Sequence, residues 1–320
     1  MEPLTLHFVH ERVGARFIPV GGREVVAGYG DVGAEYGAAR SAVALHDASY
    51  REILRITGED RASFLHGMVT QEVKNLPVGS AAYAAFITVK GAMVGDARIL
   101  KREDDLLLDL EPGLGAKVRE FLDKYLISED AELHDGTPDQ AWLKLLGPRT
   151  AQVLAAVTGG PPEPPAPLSS RKASIAGQDV WLLGTALPGG LSGVDVLVPR
   201  YGQDMVDTTI PLEANLTNAI SYNKGCYIGQ EVIARATFRG HMNRKLAGLL
   251  LGEKDVAPGT ELRRGEKKVG WVTSVVTSPV KGQRVALGYV HRDSLEPGTE
   301  LTLGEGAGTV TVAALPFTAA

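Results

Sequence analysis

The sequence predicts an α+β protein in which two related α/β units precede a C-terminal β-barrel. Residues 54–65 and 143–154 each read as a short alternating strand, a glycine and an amphipathic helix, and the change from period two to helical spacing predicts that order of elements. After residue 243, short β-rich runs alternate with turn pairs such as Pro258-Gly259. Such runs, without a long helical pattern, predict a small barrel.

The repeat extends to a second pair of segments. Residues 107–115 and 196–202 each read as a strand followed by a proline that opens a helix, and repeated order of this kind indicates duplication. We therefore predict a first α/β unit over residues 1–135, a second over 136–243 and the barrel over 244–320. We expect the first two units to be interleaved.

Composition and charge exclude several classes of protein. Of the 320 residues, 44% are hydrophobic and 22% are charged, a balance typical of globular proteins. The net charge of −5 argues against non-specific nucleic-acid binding. We expect no membrane span and no signal peptide, because no apolar run approaches about 18 residues and the N-terminus lacks a basic start. The expected location is the cytoplasm.

A glycine pattern near the N-terminus resembles a dinucleotide-binding turn but does not predict one. Gly28, Gly30 and Gly33 satisfy G-x-G-x-x-G. The preceding strand carries Arg23 and Glu24, whereas a central parallel strand is a continuous apolar run. We therefore reject the nucleotide-binding interpretation.

The single cysteine lies in a basic, glycine-rich segment. From Lys224 to Lys245 there are five Lys or Arg residues and one Glu. Lys224, two residues before Cys226, would favour the thiolate if both side chains project the same way. A thiolate can act as a nucleophile, a metal ligand or a redox group. The competing interpretation is a small buried apolar side chain.

The eight residues from Lys224 to Glu231, KGCYIGQE, resemble the signature of YgfZ-type proteins, which are relatives of the glycine cleavage T-protein, an aminomethyltransferase. Residues 42–49, 58–65, 270–274 and 286–290 also resemble that superfamily, so the similarity spans nearly the whole chain. It implies a ring of three domains around a tetrahydrofolate pocket.

The resemblance also implies site residues. Glu213 matches the glutamate that holds the pterin ring, and a carboxylate can accept two hydrogen bonds from such a ring. Without the resemblance, Glu213 is equally well explained as a carboxylate at a helix start. Basic side chains suit the glutamyl carboxylates of folate. The expected folate-binding residues besides Glu213 are Tyr227, Gln230, Glu231, Arg235 and Arg239.

One acidic residue separates two functional hypotheses. Aminomethyltransferases carry paired acids after a glycine pair, and here only Asp96 follows Lys90-Gly91. The leading hypothesis is therefore a tetrahydrofolate-binding accessory protein for iron–sulfur cluster assembly or repair, which serves iron–sulfur enzymes or assembly proteins through Cys226 and Lys224. We predict no metal-ligating residues; because one cysteine cannot hold a cluster alone, any metal role must share ligands with a partner or be transient, and thiol–disulfide exchange is equally compatible. The alternatives are a folate-dependent aminomethyltransferase, with Asp96 as a catalytic acid or base, and a silent ligand-binding scaffold.

Overall fold

The chain forms two compact units. The computed structural model describes residues 2–4, 6–139, 141–160, 163–185, 204–238, 240, 242–278, 281–304, 308–315 and 317. The first unit comprises Met1–Phe86, Val94–Leu187 and Ser221–Tyr227, and the second comprises Ile87–Met93, Pro188–Ile220 and Ile228–Ala320. Three-domain boundaries at residues 135 and 243 stay a prediction.

The N-terminal elements of the first unit are short. In chain order they are α1 (His7–Arg12), β1 (Arg16–Val20), β2 (Arg23–Gly28), α2 (Val32–Ser41) and β3 (Ala44–Asp47). Strand β2 pairs antiparallel with β1 in a two-stranded sheet. Asp31 caps α2, because its carboxylate accepts the backbone N–H groups of Gly33 and Ala34 at 2.8 and 3.2 Å. The glycine pattern therefore follows a hairpin and not a parallel strand.

A five-stranded sheet forms the centre of the first unit. Its strands are β4 (Glu52–Thr57), β5 (Ala81–Ile87), β6 (Met93–Lys101), β7 (Leu106–Leu110) and β8 (Glu132–Asp135), in the order β5-β6-β7-β4-β8. Every residue of β7 is buried, although its sequence LLLDL includes Asp109. Helices α3 (Arg61–Met68) and α4 (Gly115–Asp123) complete this part. A buried carboxylate in a leucine-rich central strand needs compensating partners.

The strand–glycine–helix repeat is present. Strand β4 leads through Gly58 to α3, and β9 (Leu143–Leu146) leads through Gly147 to α5 (Thr150–Thr158). Both glycines have positive φ, 95° and 139°, which favours glycine over other residues. Two further strands, β10 (Ser170–Ile175) and β11 (Gln178–Leu183), form a hairpin. The matching segment at residues 196–202 lies outside the described residues.

The second unit contains a closed six-stranded barrel. Helix α6 (Gln230–Phe238) precedes the barrel strands β12 (Arg244–Gly252), β13 (Glu261–Arg264), β14 (Lys267–Ser278), β15 (Gln283–His291), β16 (Glu300–Leu303) and β17 (Thr309–Ala313). They close in the order β12-β15-β14-β13-β16-β17. Alternating apolar residues fill its interior, among them Leu249, Leu262 and Val272, which are fully buried. The predicted α+β class with a C-terminal barrel is confirmed. Among the described residues, no helix is long and apolar enough to cross a membrane.

Candidate functional site

A carboxyl group with one unused oxygen lies on the central sheet. Tyr83 of β5 donates its hydroxyl to Asp96 Oδ2 of β6 at 2.6 Å. Asp96 Oδ1 is buried and has no hydrogen-bond partner among the described residues. Burial raises the pKa of Asp96 to about 6, and Glu111 acts in the same direction, while the Tyr83 hydrogen bond and Arg51 oppose the rise. The group therefore exchanges a proton near neutral pH, as acid–base catalysis requires.

A buried charge network lies close to this carboxyl group. Asp109 accepts hydrogen bonds from Arg51 and from Arg98, whose Nε lies 2.8 Å from Asp109 Oδ2, and Arg51 also donates to Glu111. Burial alone would raise the pKa of Asp109, but Arg98 and Arg51 outweigh it and lower the pKa. Arg51 also lowers the pKa of Asp96, and Glu111 raises it. The network thus influences the proton affinity of the Asp96 carboxyl group.

Sequence reasoning did not identify Tyr83 or this network. One signal was present, because Asp109 is the only charged residue in the leucine run of β7. The register then places Asp109 opposite Arg98 on β6 and Ile53 on β4. Strand pairing brings Arg98 to Asp109, and the order of residues along the chain does not reveal this contact.

The ammonium group of Lys224 lies among backbone carbonyl groups. It is buried and donates to the backbone carbonyl groups of His66, Val69 and Gln71, the last two at 2.7 and 2.9 Å. It also lies 5.0 Å from the centre of the Tyr227 ring. Burial lowers the pKa of Lys224 to about 8, and Glu72 opposes this shift. All three ammonium donors are therefore engaged by carbonyl groups, and assistance to a thiolate stays a prediction.

The side chains that follow Lys224 divide between buried and exposed positions. Cys226 is free and exposed. This excludes the competing interpretation of a buried apolar side chain. Tyr227 is buried, and burial raises its pKa to about 12, with a smaller contribution from Tyr222. Tyr227 therefore contributes an apolar ring beneath the Lys224 ammonium and stays a neutral phenol.

Helix α6 carries three of the six predicted folate-binding residues. Gln230 begins the helix, and Glu231 and Arg235 stand one turn apart, so both project from one face. With Ala234 and Phe238 they line an open cleft of about 460 Å³. Arg239 lies outside the described residues.

Glu213 is buried and paired within the second unit. Its Oε1 and Oε2 accept the Nε and Nη2 groups of Arg244 at 2.9 and 3.3 Å. The backbone N–H of Ile210 also donates to Oε2 at 3.2 Å. The guanidinium lies over the rings of Trp271 and Tyr289, 4.9 and 5.4 Å from their centres. Glu213 is therefore a preorganised acceptor for a planar group with two adjacent N–H donors.

The predicted site residues fall into both units. Asp96, Lys224, Cys226 and Tyr227 belong to the first, and Glu213, Gln230, Glu231 and Arg235 to the second. Within the described part of the chain, no group of three or more His, Cys, Asp or Glu residues could hold a metal ion.

Two domain families match most of the chain. Residues 6–192 match the GCVT N-terminal domain, and residues 244–318 match the glycine cleavage T-protein C-terminal barrel domain. The chain belongs to the glycine cleavage T-protein family. Its members include an aminomethyltransferase from Thermosynechococcus vestitus, 27% identical over 338 residues, with 95% of this chain and 91% of the relative covered. An aminomethyltransferase from Bacillus subtilis is also 27% identical, with 91% of each chain covered.

Two further T-protein relatives extend the comparison. A putative chloroplastic transferase from Arabidopsis thaliana is 27% identical, with 87% of this chain and 72% of the relative covered. The crystal structure of the glycine cleavage system aminomethyltransferase T from Bartonella henselae superimposes with a TM-score of 0.83 at 21% identity, and covers 99% of this chain and 98% of that one. At that identity the superposition shows a shared T-protein fold.

The leading functional hypothesis of the sequence analysis is wrong. It predicted an accessory protein for iron–sulfur cluster assembly or repair with iron–sulfur partners. The full-length T-protein relatives are named aminomethyltransferases instead. The alternative hypothesis is the better supported one. The leading hypothesis was based on the eight-residue segment around Cys226, whereas the family match extends over most of the chain.

Proposed function

We propose that this protein is a folate-dependent aminomethyltransferase, which transfers a one-carbon unit from an aminomethyl donor to tetrahydrofolate. Its family membership and its aminomethyltransferase relatives support this activity. Asp96 is the observation that carries the proposal for this chain. Its buried Oδ1 has no hydrogen-bond partner in the part of the chain that the structure describes, and a buried polar atom of this kind calls for a ligand, a water molecule or a catalytic role.

Asp96 is the proposed acid–base group. Tyr83 holds Oδ2 at 2.6 Å, so Oδ1 is the oxygen that gives or takes a proton at the reacting nitrogen. A pKa of about 6 leaves the group mostly ionised at pH 7 but able to hold a proton during turnover. The paired acid of other aminomethyltransferases is missing after Lys90-Gly91, and the Tyr83 hydroxyl is our proposed positioning group for the remaining one.

Tetrahydrofolate fits the donor and acceptor groups that are present. The Glu213 carboxylate accepts two hydrogen bonds from the planar guanidinium of Arg244, and the adjacent N3 and 2-amino groups of a pterin ring are a donor pair of the same kind. We propose Glu213 as the pterin contact. The proposed contacts for the rest of folate are Tyr227, Gln230, Glu231, Arg235 and Arg239.

Two finer assignments accompany this proposal. The motif KGCYIGQE supports a place for the chain in the YgfZ-type branch of the family, and the exposed Cys226 thiol is open to solvent there. We propose the cytoplasm as the compartment. If the thiol takes part in transfer, Cys226→Ala lowers the rate of transfer.

A direct assay tests the activity. The purified chain is supplied with tetrahydrofolate and a lipoyl-bound aminomethyl group, and formation of methylenetetrahydrofolate is followed. Asp96→Asn should lower kcat by about 10²- to 10⁴-fold, the usual contribution of a general acid or base. Asp123→Asn, an exposed carboxylate on α4, is the matched control and should leave the rate unchanged. Absence of product with the wild-type chain, or full activity of Asp96→Asn, would refute the proposal.

A further inference from the structure

Arg244 occupies the acceptor that the pterin ring would need. Its Nε and Nη2 groups reach the two oxygens of Glu213 at 2.9 and 3.3 Å. The flat guanidinium lies against Trp271 and Tyr289, whose ring centres are 5.2 Å apart. The guanidinium of Arg244 is thus held in two ways, by paired hydrogen bonds to the Glu213 carboxylate and by stacking on the two aromatic rings.

The edge of a pterin ring has the chemistry of a guanidine. N3–H and the 2-amino group are two N–H donors on one carbon atom, in the same plane, as are Nε–H and Nη2–H of arginine. A carboxylate accepts either pair through two parallel hydrogen bonds. Arg244 already bridges the two oxygens of Glu213, so a pterin ring cannot bridge the same pair of oxygens in the same way until the arginine leaves.

We propose that Arg244 is an internal occupant of the pterin subsite, which closes Glu213 in the free protein and leaves it when a 2-amino-4-oxopteridine binds. The inference rests on the proposed function, because it takes a folate as the ligand of Glu213. It adds a state of the same site in which Arg244 competes with the pteridine for Glu213. The measured affinity for folate is then the intrinsic affinity multiplied by the fraction of molecules in which Glu213 is open.

The surroundings of the pair allow this exchange. The Arg244 side chain is 34% exposed and the Glu213 side chain only 9%, so the arginine is the partner that can move into solvent. Glu213 stays in place without it, because the Ile210 N–H still donates to Oε2. The backbone of Glu213 is held separately, by the Leu246 N–H at 2.7 Å from its carbonyl oxygen. Departure of Arg244 therefore leaves an ordered acceptor.

Calorimetry with 5-formyltetrahydrofolate, a stable folate, tests the proposal. Arg244→Met removes the guanidinium and keeps an unbranched apolar side chain. If Glu213 is closed nine-tenths of the time, the variant binds about tenfold more tightly than the wild type. Arg244→Lys should lie between the two, because an ammonium group cannot bridge both oxygens in a plane. Arg263→Met removes another barrel arginine, which pairs with Glu261 at 2.9 Å, and should leave the affinity unchanged.

A second measurement uses 6-methylpterin, which lacks the charged glutamyl tail. Salt screens the Glu213–Arg244 pair through the exposed part of Arg244, so the affinity of the wild type should rise with ionic strength while that of Arg244→Met stays constant. This readout would not respond to a structural role of Arg244. Thermal unfolding of each variant establishes whether it is folded. If Arg244→Met is unfolded, the comparison is made with Arg244→Lys.

The outcomes separate the two proposals. Weaker or unchanged binding by Arg244→Met, together with weaker binding by Glu213→Gln, overturns the internal-occupant proposal and leaves folate binding intact. Unchanged binding by Glu213→Gln overturns it too, because the pterin ring then does not use this carboxylate. Failure of every variant and of the wild type to bind 5-formyltetrahydrofolate refutes the proposed function itself.

Discussion

Replacing Asp96 with asparagine should stabilise the protein at neutral pH relative to acidic pH. One oxygen of the carboxyl group accepts the Tyr83 hydroxyl, and the other is buried without a partner among the residues described, so its ionised form is poorly compensated. Burial accordingly raises its pKa from 3.8 to about 6. A carboxyl pKa raised by burial is typical of groups at functional sites.

The sign and size follow from the two pKa values. Between pH 3.8 and pH 6 the folded state keeps a proton on Asp96 that the unfolded state has lost, so stability falls as the pH rises through this window. From pH 4 to pH 7 the full difference corresponds to about 2 kcal/mol. Asparagine does not titrate. The free energy of unfolding of the variant, relative to the wild type, should therefore increase by about 1–2 kcal/mol over the same interval.

Urea unfolding at pH 4, 5, 6 and 7, followed by tryptophan fluorescence, measures this difference. Only the change with pH is compared, because the new amide group has its own buried N–H donors and shifts all values equally. Asp123→Asn, at an exposed position of α4, should run parallel to the wild type. A profile of Asp96→Asn that is also parallel to the wild type, within about 0.3 kcal/mol, would show that Asp96 is an ordinary ionised carboxylate and would remove the basis for its catalytic role.

Two further predictions concern buried charges. Lys224→Met removes the donor shared by three carbonyl groups, of which that of Val69 is buried, and should lower the free energy of unfolding by about 2–3 kcal/mol; a urea midpoint equal to that of the wild type would contradict the importance of these contacts. Asp109→Ala leaves Arg51 and Arg98 without their shared carboxylate and should cost about 3–5 kcal/mol, measured by thermal unfolding. A loss below 1 kcal/mol, no larger than that of an exposed ion pair, would show that water replaces the carboxylate.

Local sequence patterns predicted the elements well because their causes are local. The strand–glycine–helix order around Gly58 and Gly147 depends on period and on a positive φ at one residue. The barrel strands β12, β14 and β15 follow the predicted apolar runs for the same reason. Recognition of the T-protein family also came from short segments spread along the chain, and the domain matches confirm it.

The motif KGCYIGQE led to a correct superfamily and a wrong leading function. Lys224 stands two positions before Cys226, so its ammonium was expected beside the thiol if both side chains project the same way. In the fold, the Lys224 ammonium turns to carbonyl groups that are 153 to 158 residues away along the chain. No spacing rule contains a contact of that kind, and assistance of Lys224 to the thiol stays a prediction.

The class of fold, the barrel and the family could all be predicted from the amino-acid sequence, since each follows from periodicity, turn residues or matching segments. Which charges face one another became known from the folded structure alone. Within the described residues, Asp96 has one oxygen without a partner, Lys224 faces carbonyl groups, and Glu213 holds Arg244 from 31 residues away. Burial and long-range pairing set the proton affinity and availability of these groups, and both depend on which strands and loops pack together.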